Sequence, residues 1–163
     1  MGLVVSDTTP LNYLILIGQV DVLSQLFGQV LVPPAVAREL RHPKAPPPVA
    51  AWISNPPNWI ELRTPRIDLS LALGPGEDEA IALAVELGKL PVLMDDKTAR
   101  AEAEQHGLPV IGTLTILELA DAADLLIFEE VMARLRETTF RIDDKTVSDA
   151  IARVRDRTRP PRT

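Results

Sequence analysis

Two rhythms of apolar and polar positions alternate along this chain. Short apolar runs rich in β-branched residues, at Leu3 to Ser6, Val30 to Val32, Pro91 to Met94 and Val110-Ile111, read as buried strands. Ile60 to Leu62 reads as a minor edge strand and Phe140 to Ile142 as a brief one. Between them the spacing turns helical. Leu11, Leu14, Ile15 and Ile17 share one helix face after Thr8-Thr9-Pro10. Asp21 suits the cap of a short helix ending at Phe27, and Pro34 suits the first position of a helix carrying Ala35 to Leu40. Gly74-Pro75-Gly76 opens a helix from Glu77 to Leu87 that Gly88 closes, and Lys97 to His106 forms another that ends at Gly107. Leu114 to Ala123, Phe128 to Arg136 and Lys145 to Arg155 complete the set. The segment His42 to Pro48, with four prolines in seven residues, predicts a stiff loop followed by a short amphipathic piece at Ala51 to Ile53.

Strands alternating with helices through short turns imply an α/β protein whose sheet is mainly parallel and covered on both faces. At 163 residues and 46% apolar content the chain buries one core, so one domain is expected over residues 1–155, with a basic Pro/Arg tail over 156–163. The apolar stretches are broken by Asn12, Gly18, Gln19 and Asp21, too early for a membrane span, and no leader pattern precedes Asp7, so a cytoplasmic protein is expected.

Charge changes the picture. The net value of -6 argues against a nucleic-acid binder, yet residues 61–130 hold fifteen acids against five Lys and Arg, while residues 131–163 hold five against nine. An acidic middle that loads divalent metal would reverse its local sign, and a basic end could hold a phosphate backbone. With no cysteine, any metal is held by oxygen or by His42 and His106, which points to hard cations.

Candidate chemistry follows from position, because ligands of open parallel sheets bind beyond the carboxyl ends of the strands. Asp7 lies just after the first strand, and Asp95 and Asp96 just after the Pro91 strand. Glu39 rides the helix after the second strand, and Glu77, Asp78 and Glu79 crowd the first turn of the Gly74 helix. Each has an ordinary structural explanation: Asp7 as a helix cap, although three residues early for a helix at Pro10, Glu39 as an exposed helix residue, the Glu77 to Glu79 group as partners of the helix dipole, and Asp95-Asp96 as a turn and a cap. Together they repel, by about 4 kcal/mol for a pair 4 Å apart at an effective dielectric of 20. A divalent cation offsets that cost. The chain has no P-loop and no Gly-x-Ser-x-Gly elbow that would supply another chemistry.

In these segments the chain resembles the PIN domains, and within them a bacterial and archaeal branch close to the VapC-type toxins, from Val5 to about Ile142. Val5-Ser6-Asp7-Thr8-Thr9-Pro10-Leu11 resembles the opening strand with its first metal-binding Asp, and Val32 to Leu40 the second motif with Glu39. Gly76-Glu77-Asp78-Glu79-Ala80-Ile81-Ala82 is similar to the third, with Glu79 in the acidic place, and Leu93-Met94-Asp95-Asp96-Lys97-Thr98-Ala99-Arg100 to the fourth, with Asp96 in the last acidic place. The resemblance implies a three-layer α/β/α sandwich and a magnesium- or manganese-dependent endoribonuclease, the toxin of a toxin-antitoxin pair. It also implies RNA as substrate, an antitoxin as partner and a homodimer.

The expected metal ligands are therefore Asp7, Glu39, Glu79 and Asp96, with Thr8 or Thr9 orienting Asp7 through a hydroxyl. Glu77 and Asp95 are reserves, and Arg38 and Arg100 are candidates to meet the scissile phosphate. Trp52 and Trp59 are expected to pack beneath the proline loop. Two rivals remain: a PIN-like module that binds RNA or protein without cutting, and a phosphohydrolase using Asp7 as nucleophile. The second lacks the usual Asp two residues on, where this chain has Thr9.

Overall fold

A computed structural model of the chain describes residues 2–158. The chain divides into two compact units, Met1–Thr113 and Leu114–Thr163. The first carries the whole sheet: β1 (Gly2–Ser6), β2 (Gly28–Val32), β3 (Ile60–Leu62), β4 (Val92–Leu93) and β5 (Val110–Ile111). These strands lie in the order β3-β2-β1-β4-β5, all parallel, with Val5 opposite both Leu31 and Val92. The parallel α/β architecture read from the sequence is present, and the Ile60 segment is a true sheet edge.

The strand order sets the site. From β1 the chain builds outward through β2 to β3, then returns across to β4 on the other side of β1 and builds outward to β5. Connections therefore leave β1 and β4 in opposite directions, and a crevice opens between their carboxyl ends. With the right-handed crossovers that parallel strands adopt, the two directions put helices on opposite faces of the sheet. Asp7 N–H donates to the Leu93 carbonyl at 2.9 Å, which pins the residue after β1 onto the end of β4.

The helices of this unit are α1 (Thr8–Leu16), α2 (Val22–Phe27), α3 (Pro34–Leu40), α4 (Pro47–Ser54), α5 (Pro75–Glu86) and α6 (Lys97–Gln105). Two start earlier than the apolar pattern suggests. Helix α1 begins at Thr8, so Asp7 occupies its cap position, although the Asp7 side chain makes no cap hydrogen bond. Helix α4 begins inside the expected stiff loop, with Pro46 as its cap and Pro47 and Pro48 in its first turn. Proline loses nothing there, because first-turn N–H groups have no helical partner. Trp52 and Trp59 then pack ring on ring at 5.9 Å, tilted by 55°.

The core cluster joins Val5, Leu31, Val92 and Met94 of the sheet region to Ala80, Ile81, Leu83 and Ala84 of α5 and Ala99 and Ala103 of α6. Small Ala residues on both helices let them approach the sheet closely, and Leu83 supplies the bulk.

The second unit holds α7 (Thr113–Ala122, which begins one residue before it), α8 (Phe128–Arg136) and α9 (Asp144–Thr158). Phe128, Val131, Met132 and Leu135 bury one face of α8, and Asp121 accepts the Phe128 N–H at 2.9 Å. The strand expected at Phe140 to Ile142 is absent: Phe140 N–H donates to the Thr138 hydroxyl at 3.2 Å, so the segment closes a local turn in place of a ladder. Helix α9 runs on to Thr158, into the segment expected as a tail from residue 156, and residues 159–163 of that tail lie outside the described residues.

Candidate active site

Asp7 is the centre of the site. It follows β1, its backbone is fixed to β4, and its residue is only 2% exposed, yet its Oδ1 has no hydrogen-bond partner among the described residues. A buried carboxylate oxygen without a donor is costly, and native structures keep such atoms where something else is to bind. Burial raises the Asp7 pKa from 3.8 to about 7; the backbone N–H of Thr8 opposes this, and the charges of Glu77, Glu39 and Asp95 add to it. Acids from four separate segments thus meet at the crevice.

The second acid, Glu39, sits near the end of α3, where its Oε2 accepts a hydrogen bond from the Thr8 hydroxyl. The expectation that a threonine hydroxyl orients Asp7 is corrected here: Thr8 spends its hydroxyl on Glu39 and helps Asp7 through its N–H, and the Thr9 hydroxyl makes no hydrogen bond among the described residues. The first turn of α5 comes close on the other side. A Cβ added at Gly76 would lie 2.7 Å from Glu39 Oε1, so the absence of a side chain there makes room for the carboxylate.

From the same turn comes Glu77, half-buried, its pKa raised first by burial, with its own backbone N–H opposing and Glu39, Asp96 and Asp78 adding their charges. Asp78 is turned the other way, accepting the N–H groups of Leu71 and Leu73 at 3.3 Å each. Glu79 is also engaged elsewhere: its Oε2 accepts the Ala35 N–H at 2.6 Å, one of the donors left open at the start of α3.

The last two acids divide their duties. Both oxygens of Asp95 are held by Thr113, at 2.8 Å from its N–H and 2.6 Å from its hydroxyl. Burial raises the Asp95 pKa, these two bonds oppose the rise, and the Arg100 charge opposes it too. Arg100 lies over Gly112, where an added Cβ would come within 2.8 Å of its Nη1. Asp96 is exposed and caps α6, with Oδ1 accepting the Ala99 N–H at 2.9 Å. Arg38 is exposed on α3 and forms no ion pair among the described residues.

The sequence reading named Asp7 and Glu39, and both are here. It held Glu77 and Asp95 in reserve, and these two are the acids whose charges act on Asp7 beside Glu39. Helix geometry carried the missing signal, since residues two apart on a helix point about 200° apart and Glu77 and Glu79 cannot face the same way.

The donor set is all oxygen, which suits magnesium or manganese, and the unpartnered Asp7 Oδ1 is a ready ligand atom. Among the described residues no three acids or histidines converge closely enough to hold an ion as the side chains stand. Thr8, Thr113, Ala99 and Ala35 each supply the donor that one of these carboxylates would exchange or share on binding.

These features define a class: a parallel α/β protein with a buried, oxygen-only acidic site at the switch point of its sheet. A family model described as a PIN domain matches residues 3–156, and the chain belongs to the PIN-domain family. PIN domains are generally nucleases that act on nucleic acid and typically use divalent metals. No curated protein matches the chain. No helix among the described residues is long and apolar enough to cross a membrane.

Gly76→Ala tests the packing of the site directly. Alanine favours a helix over glycine by up to about 1 kcal/mol, and the clash is with the far end of a flexible side chain, so the melting temperature should hold or rise. Glu39 must move, and cleavage should fall by about tenfold or more. Equal rates for the variant and the natural protein would separate Glu39 from the chemistry.

Proposed function

We propose that this PIN domain is a magnesium- or manganese-dependent endoribonuclease of the VapC-like branch, the toxin of a toxin-antitoxin pair, with an antitoxin and a second copy of the chain as its protein partners. The observation that carries the nuclease reading is Asp7, buried and unpartnered at Oδ1 between the charges of Glu39, Glu77 and Asp95. Its placement beyond β1 at the switch point is where a parallel sheet presents groups to a ligand.

Asp7, Glu39, Glu77 and Asp96 are the residues that would hold the cation. When bound, the cation polarises the phosphoryl group and lowers the pKa of attacking water. Asp7 gives up the proton that burial favours at neutral pH and presents an ionised Oδ1. Glu39 is kept in place by the Thr8 hydroxyl, leaving Oε1 for the ligand side next to Gly76. Glu77 stands at the dipole-positive start of α5, which favours its ionised form. Asp95 acts as a positioning residue, tying the end of β4 to Thr113, and Arg100 keeps it ionised. Glu79 fastens the start of α3, the helix that carries Glu39.

The test is cleavage of labelled single-stranded and hairpin RNAs by the purified chain with magnesium, manganese or chelator. Cutting with either metal and none with chelator is expected. RNA binding that persists without cutting under every condition would replace this reading with a non-catalytic RNA-binding module.

A further inference from the structure

We infer that the groove between α1 and the segment following α3 is a nucleotide subsite, which takes one phosphate and base of single-stranded RNA beside the carboxylates. This rests on the ribonuclease reading and extends it from the reacting phosphate to a neighbouring nucleotide. The groove measures about 340 Å³, and Thr8 and Glu39 of the candidate active site form one wall. Such a volume lies in the range of small-ligand clefts, about 300 to 1,000 Å³.

Charge argues for a phosphate. Every Lys and Arg of the first 60 residues, Arg38, Arg41 and Lys44, falls within one short stretch at the end of α3 and just beyond. All three are exposed and none forms an ion pair among the described residues. In the second unit, by contrast, Arg136, Arg153 and Arg155 are paired with Asp144, Glu118 and Glu129. In a chain of net charge -6, uncommitted cations beside an acidic site are what a polyanion needs in order to approach.

The lining argues for a base. Leu40, Ala45 and Pro46 give an apolar floor, while Asn12 and His42 stand at the edge. The Asn12 amide has no protein partner among the described residues. His42 Nδ1 accepts the Lys44 N–H at 3.0 Å, so the neutral ring carries its proton on Nε2 as a free donor. An apolar platform with fixed donors and acceptors at its rim is how single-stranded bases are held.

The test is fluorescence anisotropy with a short labelled RNA of mixed sequence, in chelator, across about 50 to 200 mM salt. Arg41→Glu with Lys44→Glu is compared with Arg134→Glu and Arg141→Glu, all four positions being exposed. The first pair should weaken binding by about tenfold or more and reduce the salt slope by about 1.4, or about 0.7 for each lost phosphate contact. The second pair should change neither. Asn12→Ala should alter the preference for the base at one position while leaving the salt slope unchanged. Unchanged affinity and slope in the first pair, an equal loss in the second, or no binding by the natural chain would each overturn the subsite. Binding is read without cation, so a chain that binds through these residues yet never cuts would overturn the nuclease reading and leave the groove standing.

Discussion

Asp7→Asn is expected to abolish metal-dependent cleavage and, without metal, to make the protein more stable at alkaline pH. The Asp7 carboxyl is raised from 3.8 to about 7, chiefly by burial, against the pull of the Thr8 N–H and with the charges of Glu77, Glu39 and Asp95 pushing in the same direction as burial. A carboxyl whose folded pKa lies above its unfolded value binds its proton more tightly in the folded state. Stability therefore falls as pH rises from about 4 to about 7, and the full penalty is present above that window. Three pH units correspond to about 4 kcal/mol, taken as an upper figure. Asparagine keeps the shape and cannot ionise. The melting temperature of the variant should exceed that of the natural protein by several degrees near pH 8, with the gap closing towards pH 4. Manganese should reverse the order, raising the natural protein's melting temperature with little effect on the variant. Calorimetry at three pH values, with and without the ion, measures all of this; superimposed melting curves at every pH would remove Asp7 from the role given to it.

Much of this was legible in the sequence because buried parallel strands and amphipathic helices have different periods. The Val30 and Val110 runs and the Gly88 and Gly107 stops read correctly as elements and boundaries. What the sequence withheld depends on partners far along the chain. Phe140 to Ile142 has strand-like composition, and only the absence of a ladder and the bond to Thr138 distinguish it from a strand. Prolines 46 to 48 look like loop until the helix after them uses their positions as cap and first turn. At the site, Asp7 could be read from its place after a strand. Thr8 could not be assigned to Glu39, thirty-one residues away, because that bond exists only once β2 lies beside β1.

The pair Glu77 and Glu79 shows how far position alone can mislead, and their substitution should separate two roles. Motif resemblance favours Glu79 because it stands directly before the Ala-Ile run. In the folded chain Glu79 is bound to the Ala35 N–H, while Glu77 shares its field with Asp7, Glu39 and Asp96. Both lie in the first turn or just beyond it, about 200° apart around α5, so a single helix orientation assigns one to the site and the other to α3. Glu77→Gln should lower the cleavage rate by about 100-fold or more, as removal of a group that stabilises charge at a reacting centre does. Its melting temperature without metal should hold or rise, because a half-buried acid crowded by other acids has been neutralised. Glu79→Gln should lose about 1 to 2 kcal/mol of stability, the worth of a charge-assisted bond to an otherwise open donor. Gln can still accept from Ala35 through its amide oxygen, so Glu79→Ala should lose more. Both Glu79 variants should retain cleavage within a few-fold at temperatures where they are folded. Rates and melting curves measured together decide the matter: if Glu79→Gln loses cleavage by the larger factor while Glu77→Gln keeps it, the helix presents its other face to the metal and the carboxylate set returns to Asp7, Glu39, Glu79 and Asp96.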